Sequence, residues 1–220
     1  MREITRREFV RASAPKLLGE DEIHLWFFPP AASIKVDHAR LRELLGAYLR
    51  VDAAALGIER DVHGKPFLGE PHAGALQFNL AHSADALIVA LARTQALGID
   101  IESTQRTRPW IELAQRYFTP AEGATLAGLP RERLGVVFVQ LWSCKEAVLK
   151  ARGGGIAFGL ERLDFALDAD GAVTGLRTIA AEAGAATDWQ LLQLAPGPGL
   201  CGALAWRGPP MRVCSFCAEA

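Results

Sequence analysis

The sequence predicts an α+β fold made of two similar halves. Each half begins with a strand-like run, passes through a helical region and ends in several further strands. The break between the halves falls near Thr94-Gln95, and Asp168-Ala-Asp-Gly171 joins two later strands as a hairpin. We therefore divide the chain into residues 1–95 and 96–220. The sequence has no residue-level repeat, so the duplication rests on the order of elements alone.

The composition is that of a globular protein with a sizeable core. Of the 220 residues, 50% are hydrophobic and 22% are charged, which is ordinary for such a protein. The net charge of -1 gives no global electrostatic case for binding nucleic acid or an anionic membrane. Residues 1–8 lack the apolar core of a secretory signal, and no apolar run is long enough to span a bilayer. We expect a cytoplasmic protein.

The cysteines are Cys144, Cys201, Cys214 and Cys217. Without a secretory signal, a reducing compartment is expected rather than a disulfide framework. Cys214-x-x-Cys217 has no second cysteine pair and no nearby histidine, which argues against a zinc site. We expect packed or incidental thiols, with a redox pair as the alternative.

The N-terminal half begins with residues 1–21, which are polar and predict irregular structure. Ile23–Phe28 then predicts a strand, which Pro29-Pro30 stops. Asp37 is a candidate N-cap for a helix with apolar residues at helical spacing over 41–49. Elsewhere this helix carries Arg40, Arg42 and Arg50. They predict a solvated face, unless at least one of them reaches a phosphate.

A turn and a pair of strands complete this half. His63-Gly64-Lys65-Pro66 predicts a chain reversal that leaves Lys65 on an exposed tip. Gln77–Leu80 and Ala86–Ala92 predict strands. The small residues over 81–85 suit the close approach of a ligand, and a capped tight turn explains them equally well.

The C-terminal half is predicted to hold helices followed by strands. Ile111–Phe118 predicts a short helix, and Thr119-Pro-Ala-Glu122 is a capping box that starts the next helix, which Pro130 ends. A longer helix is expected over residues 133–152, closed by Gly153–Gly155. The expected strands are Leu163–Leu167, Val173–Ile179, Trp189–Leu194, Cys201–Trp206 and Met211–Phe216.

Two carboxylates share one face of a predicted strand at Leu97–Glu102. Ile99 and Ile101 face one way, whereas Asp100 and Glu102 face the other and stand about 6.6 Å apart. Like charges so placed repel unless a cation or a proton lies between them. This face is therefore a candidate site for a hard metal ion bound through oxygen. The alternative is a half-exposed strand with a wet acidic face.

The long helix carries a second charged face. Trp142, Glu146 and Lys150 recur at helical spacing, away from the apolar wedge of the same helix. That wedge consists of Leu141, Cys144, Ala147, Val148 and Ala151. An exposed ion pair between Glu146 and Lys150 would stabilise the helix by only roughly a few tenths of a kcal/mol. The functional interpretation is an acid and a cation aimed at one reacting group.

Three motifs, in this order, resemble those of the 4'-phosphopantetheinyl transferases. They are Phe78-Asn-Leu-Ala-His-Ser83, Gly98-Ile-Asp-Ile-Glu102 and Trp142-Ser-Cys-Lys-Glu-Ala-Val-Leu-Lys150 with its trailing glycines. Gly64-Lys-Pro66 also matches. The order, the spacing and the total length are similar to the Sfp-type branch, in which one chain holds two similar halves. The resemblance extends from Gly64 to Gly155, and the set of motifs is far more specific than any one of them.

The resemblance implies an α+β fold of two lobes, each a small, mostly antiparallel sheet packed on helices. It implies transfer of the phosphopantetheine arm of coenzyme A to a serine of an apo acyl- or peptidyl-carrier protein, with release of adenosine 3',5'-bisphosphate. The N-terminal half would contact the nucleotide of coenzyme A. The C-terminal half would hold the metal site, the catalytic helix and the carrier contacts. Because one chain would form the whole site, we expect a monomer.

The resemblance also implies a metal site and a catalytic pair. Asp100, Glu102 and Glu146 would bind Mg²⁺ or Mn²⁺, which prefer oxygen ligands. Glu146 would also act as the base for the serine hydroxyl, directly or through a water. Lys150 would stabilise charge on the diphosphate.

The side chains that would bind coenzyme A are Arg42, Lys65, His82, Lys145 and Lys150. For Lys145 the alternative is that it holds the local fold. One departure from the family pattern is Ala81, where many relatives have a serine before the histidine. Basic residues before Arg42 are also few, and the nearby ones are Lys35 and Arg40.

An acidic carrier protein would require a local basic patch on a nearly neutral enzyme. The candidates are Arg106, Arg108, Arg116, Arg131 and Arg133, which a solvated, charged connection explains equally well. Two other functions use the same residues. One is a metal-dependent phosphohydrolase acting on coenzyme A or a related nucleotide. The other is a non-catalytic module that binds coenzyme A or a carrier protein.

Overall fold

The structure is a computed structural model and describes residues 1–30, 38–155 and 158–218. The helices are α1 (His38–Leu49), α2 (Trp110–Tyr117), α3 (Pro120–Ala127) and α4 (Arg131–Arg152). The strands are β1 (Arg2–Thr5), β2 (Val10–Ala12), β3 (Glu22–Phe28), β4 (Ile58–Arg60), β5 (Pro66–Leu68), β6 (Gln77–Ser83), β7 (Ala86–Ala92), β8 (Leu97–Ser103), β9 (Leu163–Leu167), β10 (Val173–Ile179), β11 (Trp189–Ala195), β12 (Leu200–Arg207) and β13 (Arg212–Ala218). The α+β prediction is confirmed.

Two main sheets exchange their terminal strands. Sheet I has the order β1-β11-β12-β8, and sheet II has the order β2-β13-β3-β7-β6. The first strand of the chain, β1, therefore lies beside β11 in parallel, whereas the last strand, β13, runs parallel to β3. Separate hairpins are formed by β4 with β5 and by β9 with β10. This exchange ties the two ends of the chain together, and the division at residue 95 stays a proposal.

The hydrophobic clusters show four layers. Ile23 and Leu25 of sheet II pack with Ile99 and Ile101 of sheet I in the layer between the sheets. The outer face of sheet II is covered by α1, and the outer face of sheet I by α4, with α2 and α3 beside it. Asp100 and Glu102 alternate with the buried isoleucines of β8, so they leave the interface between the sheets.

Most of the predicted elements are confirmed to within a few residues. The capping box at Thr119 is present, since its side chain accepts from the Glu122 amide and Glu122 accepts from the Thr119 amide. The turn at Gly64 is also present, with φ of 82°. Helix α3 ends at Ala127 with Gly128 as its C-cap, before Pro130. No helix within the described ranges is both long and apolar enough to cross a bilayer.

Some predictions are wrong or lie outside the described residues. Residues 1–21 are not simply irregular, because β1 and β2 form in them as edge strands whose side chains are mostly exposed. Strand β6 continues through Ser83, and the turn to β7 narrows to Ala84 and Asp85, with φ of 49° and 61°. The candidate N-cap Asp37 and the basic Lys35 lie outside the described residues.

The cysteines are free thiols. Cys214 packs against the cluster under α1, whereas Cys217 belongs to the cluster between the sheets. Residues three apart on a strand point to opposite faces, so these two thiols cannot pair. The prediction of packed thiols is confirmed.

Candidate active site

A glycine lets strand β8 approach helix α4 closely. A Cβ on Gly98 would overlap the carbonyl oxygen of Ala147 and the amide nitrogen of Ala151. Only a residue without a side chain fits between these backbones. The close approach aligns the acidic face of β8 with the charged face of α4, so Gly98 is a structural requirement of the site.

The predicted metal-binding acids line one cleft of about 660 Å³. Asp100 and Glu102 enter it from β8, and Glu146 enters it from α4. Asp100 is 6% exposed and Glu146 is 7% exposed, so both carboxylates are buried. The wet acidic face that was the alternative to a metal site does not form.

Lys150 pairs with one oxygen of Asp100. Its Nζ lies 2.8 Å from Oδ1 of Asp100 and donates at 3.1 Å to the carbonyl of Ile99. Oδ2 of Asp100 and Oε1 of Glu146 are buried and form no hydrogen bond of normal geometry with another described residue. Oγ of Ser143 forms none either, although the Ser143 hydroxyl lies close enough to Asp100 to lower the pKa of that carboxyl. Unpaired buried carboxylate oxygens are costly. Unpaired carboxylate oxygens in a cleft are ligands that Mg²⁺ or Mn²⁺ prefers.

The pKa values of these acids reflect burial and mutual repulsion. Burial raises the pKa of the Asp100 carboxyl, and the Lys150 ammonium opposes part of that rise. Burial and then the charge on Asp100 raise the pKa of Glu102. Burial raises the pKa of Glu146 to about 7, with Asp100 adding to the rise and Lys150 opposing it. A cation among the three carboxylates would relieve this repulsion.

The free edge of β8 is occupied by side chains from the N-terminal half. Nζ of Lys65 donates to the carbonyls of Leu97, at 3.2 Å, and Lys150, at 2.9 Å. Oδ1 of Asn79 accepts from the Ile99 amide at 2.9 Å. At Leu97 and Ile99 these bonds satisfy backbone groups of β8 that a neighbouring strand would otherwise pair, whereas the Lys150 carbonyl belongs to the C-terminal end of α4.

Ser83 completes this contact at the far end of β8. Its Oγ accepts from the Ser103 amide at 3.1 Å and donates to Oε2 of Glu102 at 3.4 Å. Neither Asn79 nor Ser83 is among the predicted site residues. The available signal was their place, with His82, in the first motif.

Of the residues predicted to bind coenzyme A, some line the cleft and others do not. His82 is exposed on β6 and lines the cleft, together with Arg60 and His63 of the neighbouring turn. Lys65 lines it too, but is half-buried and anchored rather than on an exposed tip, and burial lowers its pKa. Arg42 is not among the residues that line the cleft, and its guanidinium donates to the Leu56 carbonyl.

Lys145 does not face the cleft, which corrects its prediction as a phosphate ligand. It is 0% exposed, and its Nζ lies 2.7 Å from Oε2 of Glu122. It also donates to the Leu160 carbonyl at 2.9 Å and to the Leu163 carbonyl. With its donors used inside the protein, Lys145 holds α4 against α3 and the start of β9, as the alternative had it.

Trp142 lies in an aromatic cluster beside the charged face of α4. Its ring packs at 5.8 Å from Tyr117, edge to face, and at 6.0 Å from Phe138.

Two of the arginines predicted to bind the carrier protein form ion pairs within the chain. Arg106 approaches Glu102 at 3.8 Å, and Arg133 pairs with Asp170 at 3.2 Å. The basic patch stays a prediction.

A separate group of Glu22, His24 and Cys214 lies on sheet II, with its potential ligand atoms within 4.8 Å of one another. One carboxylate oxygen of Glu22 pairs with Arg212, and the other lies 3.3 Å from Nε2 of His24. Nδ1 of His24 lies 2.6 Å from the Tyr48 hydroxyl. Protein partners already engage these carboxylate and imidazole atoms, so the group forms a hydrogen-bond network under α1.

Comparison with known proteins finds relatives over most of the chain. The family model described as 4'-phosphopantetheinyl transferase superfamily matches residues 96–201. The chain is 34% identical over 222 residues to 4'-phosphopantetheinyl transferase HetI of Nostoc sp., a match that covers 87% of this chain and 90% of that protein. It is 36% identical over 150 residues to a phosphopantetheinyl transferase of Thraustochytrium sp., covering 62% and 51%. It is 29% identical over 134 residues to 4'-phosphopantetheinyl transferase Sfp of Bacillus subtilis, covering 61% and 58%.

Proposed function

The chain belongs to the 4'-phosphopantetheinyl transferase superfamily, and on that premise we propose the reaction that its cleft performs. It transfers the 4'-phosphopantetheine arm of coenzyme A to a serine of an apo acyl- or peptidyl-carrier protein. The serine oxygen forms a bond to the β-phosphorus, the bridging bond of the pyrophosphate breaks, and adenosine 3',5'-bisphosphate leaves.

The observation that carries this proposal is the pair of buried, unpartnered carboxylate oxygens next to a lysine. Asp100, Glu102, Glu146 and Lys150 line one cleft, where Oδ2 of Asp100 and Oε1 of Glu146 are unpaired and the Lys150 ammonium pairs with Oδ1 of Asp100. These acids would hold Mg²⁺ or Mn²⁺, which would neutralise charge on the pyrophosphate when bound. The donor set is all oxygen, which favours these ions over zinc.

Two side chains then have roles in proton transfer and charge stabilisation. Glu146 accepts the proton of the carrier serine hydroxyl at its carboxylate, directly or through a water. Lys150 donates hydrogen bonds to the diphosphate oxygens as negative charge moves toward the leaving group. Its bonds to Asp100 and to the Ile99 carbonyl hold the ammonium in place before coenzyme A binds.

The rim of the cleft supports a site for the nucleotide end of coenzyme A. His82 and Arg60 line it from the N-terminal half and would contact phosphate groups. Lys65 would contribute through the part of its ammonium that the carbonyls leave free. Arg42 would need to release the Leu56 carbonyl to take part. One chain supplies every residue of this site, so we propose a monomer, and the free thiols support a reducing compartment such as the cytoplasm.

The test is a panel of apo carrier proteins, incubated with the protein, coenzyme A and Mg²⁺ and followed by intact mass. The expected result is a phosphopantetheine adduct on at least one carrier, with an equal amount of adenosine 3',5'-bisphosphate. Breakdown of coenzyme A without a carrier would favour the phosphohydrolase. Binding of coenzyme A without turnover on any carrier would favour the non-catalytic module.

A further inference from the structure

The contact between the two lobes beside the acids is made by side chains rather than by strand pairing. Strand β6 of sheet II lies along β8 of sheet I, and each is the edge strand of its own sheet. Asn79 and Ser83 of β6 accept from backbone amides of β8, at Ile99 and Ser103. The edge of β8 is thereby satisfied, and the cleft stays open next to the acids.

Ser83 differs from Asn79 because its hydroxyl serves two partners. Oγ accepts from the Ser103 amide, and the hydroxyl hydrogen is left for Oε2 of Glu102. Ser83 is 4% exposed and is not among the residues lining the cleft, so it acts through Glu102 rather than on a ligand. We infer that Ser83 is a positioning residue that aims the Glu102 carboxylate at the metal, an inference that rests on the proposed function.

A second side chain, Arg106, competes with Ser83 for the Glu102 carboxylate. The Arg106 guanidinium lies 3.8 Å from the same oxygen, Oε2, that Ser83 contacts. Arg106 is half-exposed and follows β8 in the chain. Without the Ser83 hydroxyl, Oε2 of Glu102 would keep the half-exposed Arg106 guanidinium as its neighbour at 3.8 Å, with the Lys150 charge as a further attraction on the carboxylate. The Ser103 amide would lose its acceptor at the same time.

This arrangement couples the two lobes through consecutive residues. His82 is exposed on the rim of the cleft, and the next residue, Ser83, points inward to β8. Successive side chains of a strand point to opposite faces, so β6 presents His82 to the cleft on one side and Ser83 to the Glu102 carboxylate on the other. Hydrogen-bond partners of metal ligands commonly change metal affinity by about 10- to 100-fold when they are removed.

The experiment is Mn²⁺ titration followed by electron paramagnetic resonance, with coenzyme A present, for the full chain and its variants. Ser83→Ala should weaken Mn²⁺ binding by about tenfold or more, and Ser83→Thr, which keeps the hydroxyl, should restore it. Ser215→Ala is the matched control, because it removes a hydroxyl that donates to the Glu8 carbonyl at 2.9 Å. Ser215 lies on β13, which β3 and β7 separate from β6 in sheet II. It should leave Mn²⁺ affinity unchanged.

A folded Ser83→Ala variant that binds Mn²⁺ as tightly as the wild type would overturn the inference and leave the proposed function intact. Absence of Mn²⁺ binding by the wild type would overturn both. If Ser83→Ala does not fold, Ser83→Cys keeps the volume with a weaker donor, and its Mn²⁺ affinity should fall between those of wild type and a Glu102→Gln variant. Wild-type affinity in Ser83→Cys would then overturn the inference.

Discussion

Nζ of Lys150 lies 2.8 Å from Oδ1 of Asp100, while Oδ2 of the same carboxylate is buried without a hydrogen-bond partner among the described residues. The two oxygens of Asp100 therefore have different surroundings. The ion pair favours the charged carboxylate in a buried position, and the second oxygen is left for a cation. This asymmetry is what distinguishes the cleft from an ordinary buried salt bridge, in which both partners are fully satisfied.

Replacing Glu146 with glutamine should stabilise the protein without metal while abolishing transfer. Burial raises the pKa of Glu146 to about 7 from 4.5, so the folded state loses stability as the pH rises from 4.5, and the full cost of the ionised carboxylate is present above pH 7. The amide removes that cost, which is about 3 kcal/mol near pH 8 and disappears as the pH falls to the pKa of the free acid. Urea unfolding in EDTA measures it. Glu43→Gln, on an exposed position of α1, should show no such gain, and a Glu146→Gln variant less stable than wild type near pH 8 would refute the prediction.

The two lysines of the third motif should give opposite results. Lys145→Met leaves the Glu122 carboxylate buried without its cation, which should cost about 3–5 kcal/mol of unfolding free energy. The affinity of the folded variant for coenzyme A should not change. Lys150→Met should slow transfer by about 100-fold, because a cation that contacts the diphosphate is lost. Urea unfolding measures the stability of Lys145→Met, calorimetric titration measures its affinity for coenzyme A, and single-turnover assays measure the transfer rate of Lys150→Met. Weaker coenzyme A binding by folded Lys145→Met would show that Lys145 contacts a phosphate after all.

Adding one methyl group at Gly98 should disrupt the site. The Cβ of Gly98→Ala would overlap backbone atoms of α4, so strand and helix must separate or the fold must loosen. We expect a loss of at least about 2 kcal/mol in stability, together with loss of Mn²⁺ binding. Gly175→Ala on β10 is the control, since its Cβ would meet nothing within 4 Å. Equal behaviour of the two variants would show that the close approach of β8 and α4 is not required.

His24 should make stability depend on pH far from the cleft. Burial lowers the pKa of His24 to about 4 from 6.5, so the unfolded chain binds a proton in this window and the folded protein does not. Stability from this residue is present above pH 6.5 and is lost as the pH falls toward 4. Between about pH 7.5 and pH 5 the loss is about 2 kcal/mol.

The raised pKa values of the acids in the cleft change stability in the opposite direction, so the His24 prediction concerns a difference between proteins. Urea unfolding of wild type and His24→Gln at pH 7.5 and pH 5 measures this difference in unfolding free energy. The wild type should lose about 2 kcal/mol more than the variant on acidification. Parallel curves would mean that His24 has an ordinary pKa in the folded protein.

Local periodicity was enough to predict the acidic face and its partner helix. The strand period of two placed Asp100 and Glu102 together, and the helical period placed Glu146 one turn before Lys150. The helical period could also have predicted that Lys145 is buried. On the helical wheel Lys145 falls beside Leu141 and Val148 of the apolar wedge, and a lysine there must be buried with a partner. That partner, Glu122, belongs to another helix and could not be read from α4 alone.

Non-local register was not predictable from the sequence. Asn79 and Ser83 meet β8 only because two edge strands from different sheets lie side by side, a relationship that no sequence spacing encodes. Strands β1 and β2 were missed for a related reason. Both are edge strands with mostly exposed side chains, so tertiary pairing rather than hydrophobic alternation forms them.

We propose that Asp100, with Glu102 and Glu146, holds a divalent cation for transfer of the coenzyme A arm. The most direct measurement is intact mass of an apo carrier after reaction with chelator-treated protein, with and without added Mg²⁺. Asp188→Asn is the control for Asp100→Asn, since Asp188 pairs with Arg207 on the surface. Wild type and Asp188→Asn should form the adduct only with Mg²⁺, and Asp100→Asn should form none. Adduct formation by chelator-treated wild type without Mg²⁺, or at the wild-type rate by folded Asp100→Asn, would show that transfer does not depend on a cation held by Asp100.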